Sequence, residues 1–150
     1  MIISLIASGL ATTLIGMVWY SPYVFGTAWM RMSGITPEAA EQAKKRMPLM
    51  ALIGLIAAMC IAWVTTYVNA AWGFFDWIGA LDLGFWCWAG FIAPTMLSQV
   101  LWDQKPFKLY LINVGFWLVA LLVISQIVVF ASTGSWDTFT DVVHNAGIEY

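Results

Sequence analysis

The chain has 150 residues, 62% of them hydrophobic and only 9% charged, with a mean hydropathy of +0.84; a soluble domain is about 45–50% apolar and about 25% charged. Six Lys+Arg against eight Asp+Glu give no basic face for phosphates, which excludes a nucleic-acid binder, and two cysteines exclude a disulfide scaffold just as the apolar content excludes a disordered chain. What remains is an all-α integral membrane protein, read as a single membrane domain over residues 1–150.

Residues 1–30, 47–75, 83–102 and 109–136 contain no Asp, Glu, Lys or Arg. A hydrocarbon core of roughly 30 Å takes about 20 helical residues, so each stretch is expected to hold one span, near 1–20, 48–68, 78–102 and 109–131. None alternates in the manner of a barrel strand.

The first span carries Ser4, Ser8, Thr12 and Gly16 at i+4 spacing with Gly9 beside them. Small residues so spaced let helices approach closely in lipid, either inside the bundle or at a seam between protomers; of this stripe and the one in the second span, at least one is expected at such a seam. Ser21-Pro22 ends this span, because proline disfavours helix in the residue before it and favours the first turn of the next. Ser21 is the expected N-cap of a short interfacial helix over Pro22–Met32, with Phe25, Trp29 and Met32 on one face. Ser33-Gly34 breaks it. Thr36-Pro37 then reads as the cap and first turn of a solvated helix through Glu38 and Arg46, with Glu41 and Lys45 as an i,i+4 pair. The basic residues here fix topology and offer contact to anionic lipid.

The second span offers another small stripe, Gly54, Ala58 and Ala62. In the third, Asp82 is the only acid within a span, and Pro94 is expected to kink the helix, with Thr95 and Ser98 placed to satisfy the freed carbonyl. The fourth brings Asn113, Ser125 and Gln126 into the membrane. Beyond Ala131, Ser135 to His144 has the pattern of an amphipathic C-terminal helix within the 132–150 tail.

Orientation follows from the cations. Arg31, Lys44, Lys45, Arg46, Lys105 and Lys108 all fall in the first and third loops. Lys and Arg mark the cytoplasmic side, so both termini are expected outside. The uncharged start Met1-Ile2-Ile3 lacks the n-region of a signal peptide.

Little in the spans suggests chemistry. His144 is the sole histidine and sits in the tail, which takes haem and histidine-based metal sites out of the membrane. Cys60 and Cys87 are read as mid-membrane thiols, kept inert by hydrocarbon. No metal and no cofactor is implied. Buried polar groups are informative because each is expensive unless satisfied or functional. Tyr20, Gln99 and Asn113 fall at one depth near the cytoplasmic end and are a candidate binding cluster. Asp82, with Gln126 and Thr66 as hydrogen-bond neighbours, is a candidate site near the outside.

Trp19-Tyr20-Ser21-Pro22 followed by Phe25-Gly26 and Trp29 resembles the WYSP-x-x-FG-x-x-W pattern of a family of small bacterial four-helix membrane proteins, catalogued as a domain of unknown function. Lys105-Pro106, then Leu111-Ile112-Asn113-x-Gly115, resembles the pattern at that family's last helix. The resemblance implies a compact four-helix domain in the bacterial cytoplasmic membrane and no particular activity. Its motif positions, Trp19, Tyr20, Ser21, Pro22, Phe25, Gly26, Trp29, Lys105, Pro106, Asn113 and Gly115, all map to the cytoplasmic half.

The leading reading is a non-enzymatic structural or accessory unit, binding membrane lipid or a protein partner and forming a homo-oligomer. The alternative is a small oligomeric transporter or permeation unit with Asp82 as its ion- or proton-coupling residue. Four-helix multidrug exporters resemble it in helix number, but their pattern has a membrane-embedded Glu in the first helix, and this first helix has no acid. A lipid-modifying enzyme has only Asp82, Asp103 or Tyr20 to call on, without partners at recognisable spacing.

Overall fold

The computed structural model describes residues 1–133; the tail helix expected over 135–144 lies outside the described residues. Within them every regular element is a helix. Four helices are long and apolar enough to cross a membrane, namely Ile2–Trp19, Glu38–Trp72, Trp77–Leu101 and Phe107–Thr133. The elements run α1 (Ile2–Trp19), α2 (Gly26–Ser33), α3 (Pro37–Trp72), α4 (Trp77–Cys87), a π turn over Trp88–Ile92, α5 (Ala93–Met96), α6 (Ser98–Leu101) and α7 (Phe107–Thr133).

The solvated helix and the second span expected as separate pieces are one helix, α3, of 36 residues. Thr36 caps it as expected, its hydroxyl accepting from the Ala39 amide at 3.2 Å. From Ala39 to Arg46 every residue is a strong helix former, so nothing ends the helix before Pro48. That proline removes only the bond to the Lys44 carbonyl, at a level where the helix is exposed. Lys44 Nζ pairs with Glu41 at 2.7 Å, an i,i+3 contact in place of the expected Glu41–Lys45 pair. Gly34 and Gly73 close α2 and α3 in the left-handed conformation (φ 72° and 75°), where a side chain is strained.

The third crossing is broken up. Asp76 caps α4 by accepting from the Gly79 amide at 2.8 Å. Ahead of Pro94 the helix widens into the π turn, a common way to absorb the missing amide. The hydroxyls of Thr95 and Ser98 do not reach the carbonyl that proline frees. Thr95 donates to the Phe91 carbonyl and Ser98 to that of Thr95, each within its own turn. Tyr110 of α7 reaches across to this broken stretch, donating to the Ala93 carbonyl at 3.1 Å.

α7 is the centre of the bundle, with α1, α3 and α4 packed around it. Leu121, Ile124, Val128 and Val129 are buried against Ala62 of α3 and Ala80 and Leu83 of α4. The first-helix stripe faces this core. Ser4, Ser8, Gly9 and Thr12 are all buried, as are Ala58 and Ala62 opposite. Most of both stripes therefore packs within the chain, while Gly54, the first residue of the α3 stripe, is exposed.

Candidate functional site

The end of the bundle that carries the cations is tied together by α7. At the end of α1 the backbone reverses sharply: the Ser21 carbonyl accepts from the amides of Val24 (3.1 Å) and Gly26 (2.9 Å), and the Phe25 amide donates to the Trp19 carbonyl at 3.1 Å. Ser21 thus holds the corner through its main chain and is not the N-cap expected of it. The helix starts at Gly26, not Pro22, with Phe25 as its N-cap residue and no side-chain cap. Gly26 permits the reversal. A Cβ there would lie 2.2 Å from the Tyr20 carbonyl oxygen and 2.7 Å from that of Ser21.

This corner stacks its aromatic rings onto α7. Trp19 and Phe25 meet at 4.8 Å between ring centroids, Tyr20 and Trp29 at 5.4 Å, and Tyr20 and Phe116 at 5.4 Å. Edge and tilted contacts of this kind suit the ring quadrupole. Trp19 also lies over Gly115, where a Cβ would sit 3.2 Å from the indole. Three successive residues of α7 then accept hydrogen bonds from these rings and from the π turn. The indole of Trp19 donates to the Ile112 carbonyl at 3.0 Å and that of Trp88 to the Val114 carbonyl at 2.8 Å. Between them, Asn113 Oδ1 accepts from Trp29 Nε1 at 3.1 Å and from the Tyr20 hydroxyl at 3.2 Å.

An indole N–H is only a donor, so the Asn113 atom facing it is the oxygen. That turns Nδ2 toward Gln99 Oε1, at 3.4 Å. Gln99 works twice, since its main-chain carbonyl accepts from the Lys105 amide at 3.0 Å. Pro106 follows at the head of α7, its carbonyl accepting from Leu109 at 2.9 Å. The expected cluster of Tyr20, Gln99 and Asn113 is therefore brought together, with Trp29 as an added member. Both amide atoms of Asn113 are satisfied within it. Chemically it is a clamp: an amide tying together α1, α2, α6 and α7.

The opposite end gives no such assembly. Asp82 is exposed in α4, about 7.5 Å along the helix from Trp77. The neighbours expected for it are engaged elsewhere. Gln126 donates to the Trp77 carbonyl at 2.8 Å, and the Thr66 hydroxyl donates to the Ala62 carbonyl at 2.9 Å. Cys60 and Cys87 are free thiols that border one apolar hollow of about 310 Å³ between α3, α4 and the π turn. Among the described residues no three His, Cys, Asp or Glu side chains stand together as a metal site would need.

Two parts of this geometry escaped the sequence reading. The indole bonds of Trp19 and Trp88 to α7 carbonyls have no motif, because a backbone acceptor leaves no trace in side-chain spacing. The Asp76 cap did have one, an N-cap residue directly before an apolar helix. A family model described as "Protein of unknown function (DUF1761)" matches residues 3–129. No curated protein and no solved structure matches the chain.

Proposed function

The chain belongs to the DUF1761 family, and on that premise we propose that it is a non-enzymatic, multi-pass membrane unit that acts by presenting its basic end to lipid or to a protein partner. The observation that carries this reading is the clamp at Asn113. Both atoms of its amide are bound to other side chains of the same chain. Such an arrangement fixes a surface; it offers no free base or nucleophile to a substrate.

The surface so fixed is α2, which the start of α3 follows in the chain. In this reading α2 lies in the membrane interface, with Arg31, Lys44, Lys45, Arg46, Lys105 and Lys108 on the cytoplasmic side and both termini outside. The positive-inside rule supports that orientation, and the family resemblance points to a bacterial inner membrane. Homo-oligomerisation belongs to the same reading. The transporter alternative has no observation in its favour, since the neighbours it needs around Asp82 are bonded elsewhere.

Native mass spectrometry and crosslinking of the protein released from mild detergent test the proposal. Co-purifying lipid, a partner protein or a second copy is the expected result. A bare monomer would overturn it. Reporter fusions at each terminus check the orientation, and cytoplasmic activity of either fusion refutes it.

A further inference from the structure

The seam between α1 and α3 is closed at one end and open at the other. Where it is closed, Gly9 lets the helices touch: a Cβ there would lie 2.9 Å from Met59 Cγ and 3.2 Å from the Leu55 carbonyl oxygen. The face of α3 that is buried at Ala58 (1% exposed) and Ala62 (0%) continues at helical spacing through Gly54 and Met50 to Arg46. There it is uncovered. Met50 is 61% exposed, and a Cβ on Gly54 would meet nothing within 4 Å.

The uncovered part borders a hollow of about 380 Å³ lined by Thr12, Gly16, Tyr20, Met50, Gly54 and Phe116. Its polar groups are turned inward. The Thr12 hydroxyl donates to the Ser8 carbonyl at 2.8 Å, and that of Tyr20 to Asn113 at 3.2 Å. An apolar occupant is what this hollow suits. Met50 also borders a second hollow, of about 420 Å³, together with Lys45 and Arg46. Neither cation has an acid partner; among the described residues the ion pair present is Lys44–Glu41. The apolar run of α3 begins directly after Arg46, at Met47, so charge meets hydrocarbon at this point of the seam.

An apolar slot that ends on two unpaired cations fits one class of molecule. We propose that the open half of the α1–α3 seam binds an anionic phospholipid, its phosphate at Lys45 and Arg46 and an acyl chain along Met50, Gly54 and Thr12. This rests on the lipid-presenting reading above and gives it a lipid class and a place.

The test is native mass spectrometry of the full chain reconstituted with phosphatidylglycerol or with phosphatidylcholine. Wild type is expected to retain one phosphatidylglycerol per chain with a preference of about tenfold over phosphatidylcholine. K45Q/R46Q should bring that preference close to one, and Gly54→Leu should lower retention of both lipids by filling the slot. K105Q/K108Q removes the same charge from the same end but off the seam, and should leave the preference intact. A cooperative thermal melt at or above the wild-type temperature confirms that each variant is folded. Equal retention of the two lipids by wild type, a wild-type preference in K45Q/R46Q, or an equal loss in K105Q/K108Q overturns the proposal, as does a lipid-free dimer crosslinked through position 54. In each of these cases the broader lipid- or partner-binding reading survives; it fails only if wild type runs as a bare monomer.

Discussion

Trp29 and Asn113 lie 84 residues apart in sequence, and the indole N–H of one donates to the amide oxygen of the other at 3.1 Å. Trp29 sits on the short helix after the first crossing, and Asn113 near the start of the last. One hydrogen bond therefore sets where α2 lies relative to the centre of the bundle. The Tyr20 hydroxyl shares the same acceptor at 3.2 Å, so the corner is held from both sides of its reversal.

Removing the acceptor should release both. Asn113→Ala loses three side-chain bonds, and at about 0.6 kcal/mol for each within a membrane the expected loss is about 2 kcal/mol. Tyr20→Phe removes one of them and should cost about a third as much. Thermal unfolding in detergent, followed by tryptophan fluorescence, measures both. A loss in Asn113→Ala no larger than in Tyr20→Phe would show that Trp29 and Gln99 contribute nothing to the clamp.

Two glycines should respond in opposite directions to alanine. At Gly26 the new methyl group would press on the Tyr20 and Ser21 carbonyls, at 2.2 and 2.7 Å, and backbone cannot give way as a side chain can. Overpacking of this kind costs about 1–3 kcal/mol, and α2 should lose its position. At Gly54 nothing lies within 4 Å, so alanine adds helix propensity alone and stabilises by about 0.5–1 kcal/mol. Melting curves of the two variants falling on the same side of wild type would refute this.

Much of this architecture was legible in the sequence, for identifiable reasons. Charge-free stretches mark crossings because a buried charge is so expensive in hydrocarbon. Tyr20, Gln99 and Asn113 fall together in sequence terms because an up-and-down bundle puts them at one depth. What failed was local. Ser21 carries a side chain that often caps helices, yet the clash-free path through Gly26 let its carbonyl hold the turn instead. Thr66 and Gln126 share the depth of Asp82, but depth says nothing about bearing around a helix. Thr66 found a carbonyl in its own turn, and Gln126 reached Trp77.

Gln104 adopts a left-handed conformation, φ 52°, in the loop that leads into Lys105-Pro106. A side chain is disfavoured there by about 1–2 kcal/mol, part of which glycine returns through its freer unfolded state. Gln104→Gly is expected to stabilise the protein by about 0.5–1 kcal/mol, while Gln104→Val, branched at Cβ, should destabilise it. Chemical denaturation of the pair decides the matter, and a destabilised glycine variant counts against a strained loop.

Asp82 is the remaining acid on a crossing, and its surroundings argue that it does no ion coupling. A coupling carboxylate needs neighbours that stabilise its charged or its protonated form in a site shielded from bulk water. Asp82 faces outward from the bundle and is enclosed by no other helix, and the two polar side chains at its depth donate to backbone carbonyls. Asp82→Asn should therefore leave the fold intact, with any change in stability a gain from removing a charge on an apolar crossing. Proton and cation flux across vesicles containing the purified variant should equal that of wild type. A flux present in wild type and abolished in Asp82→Asn would restore the transport reading, and with it a role for the Asp82 end of the bundle.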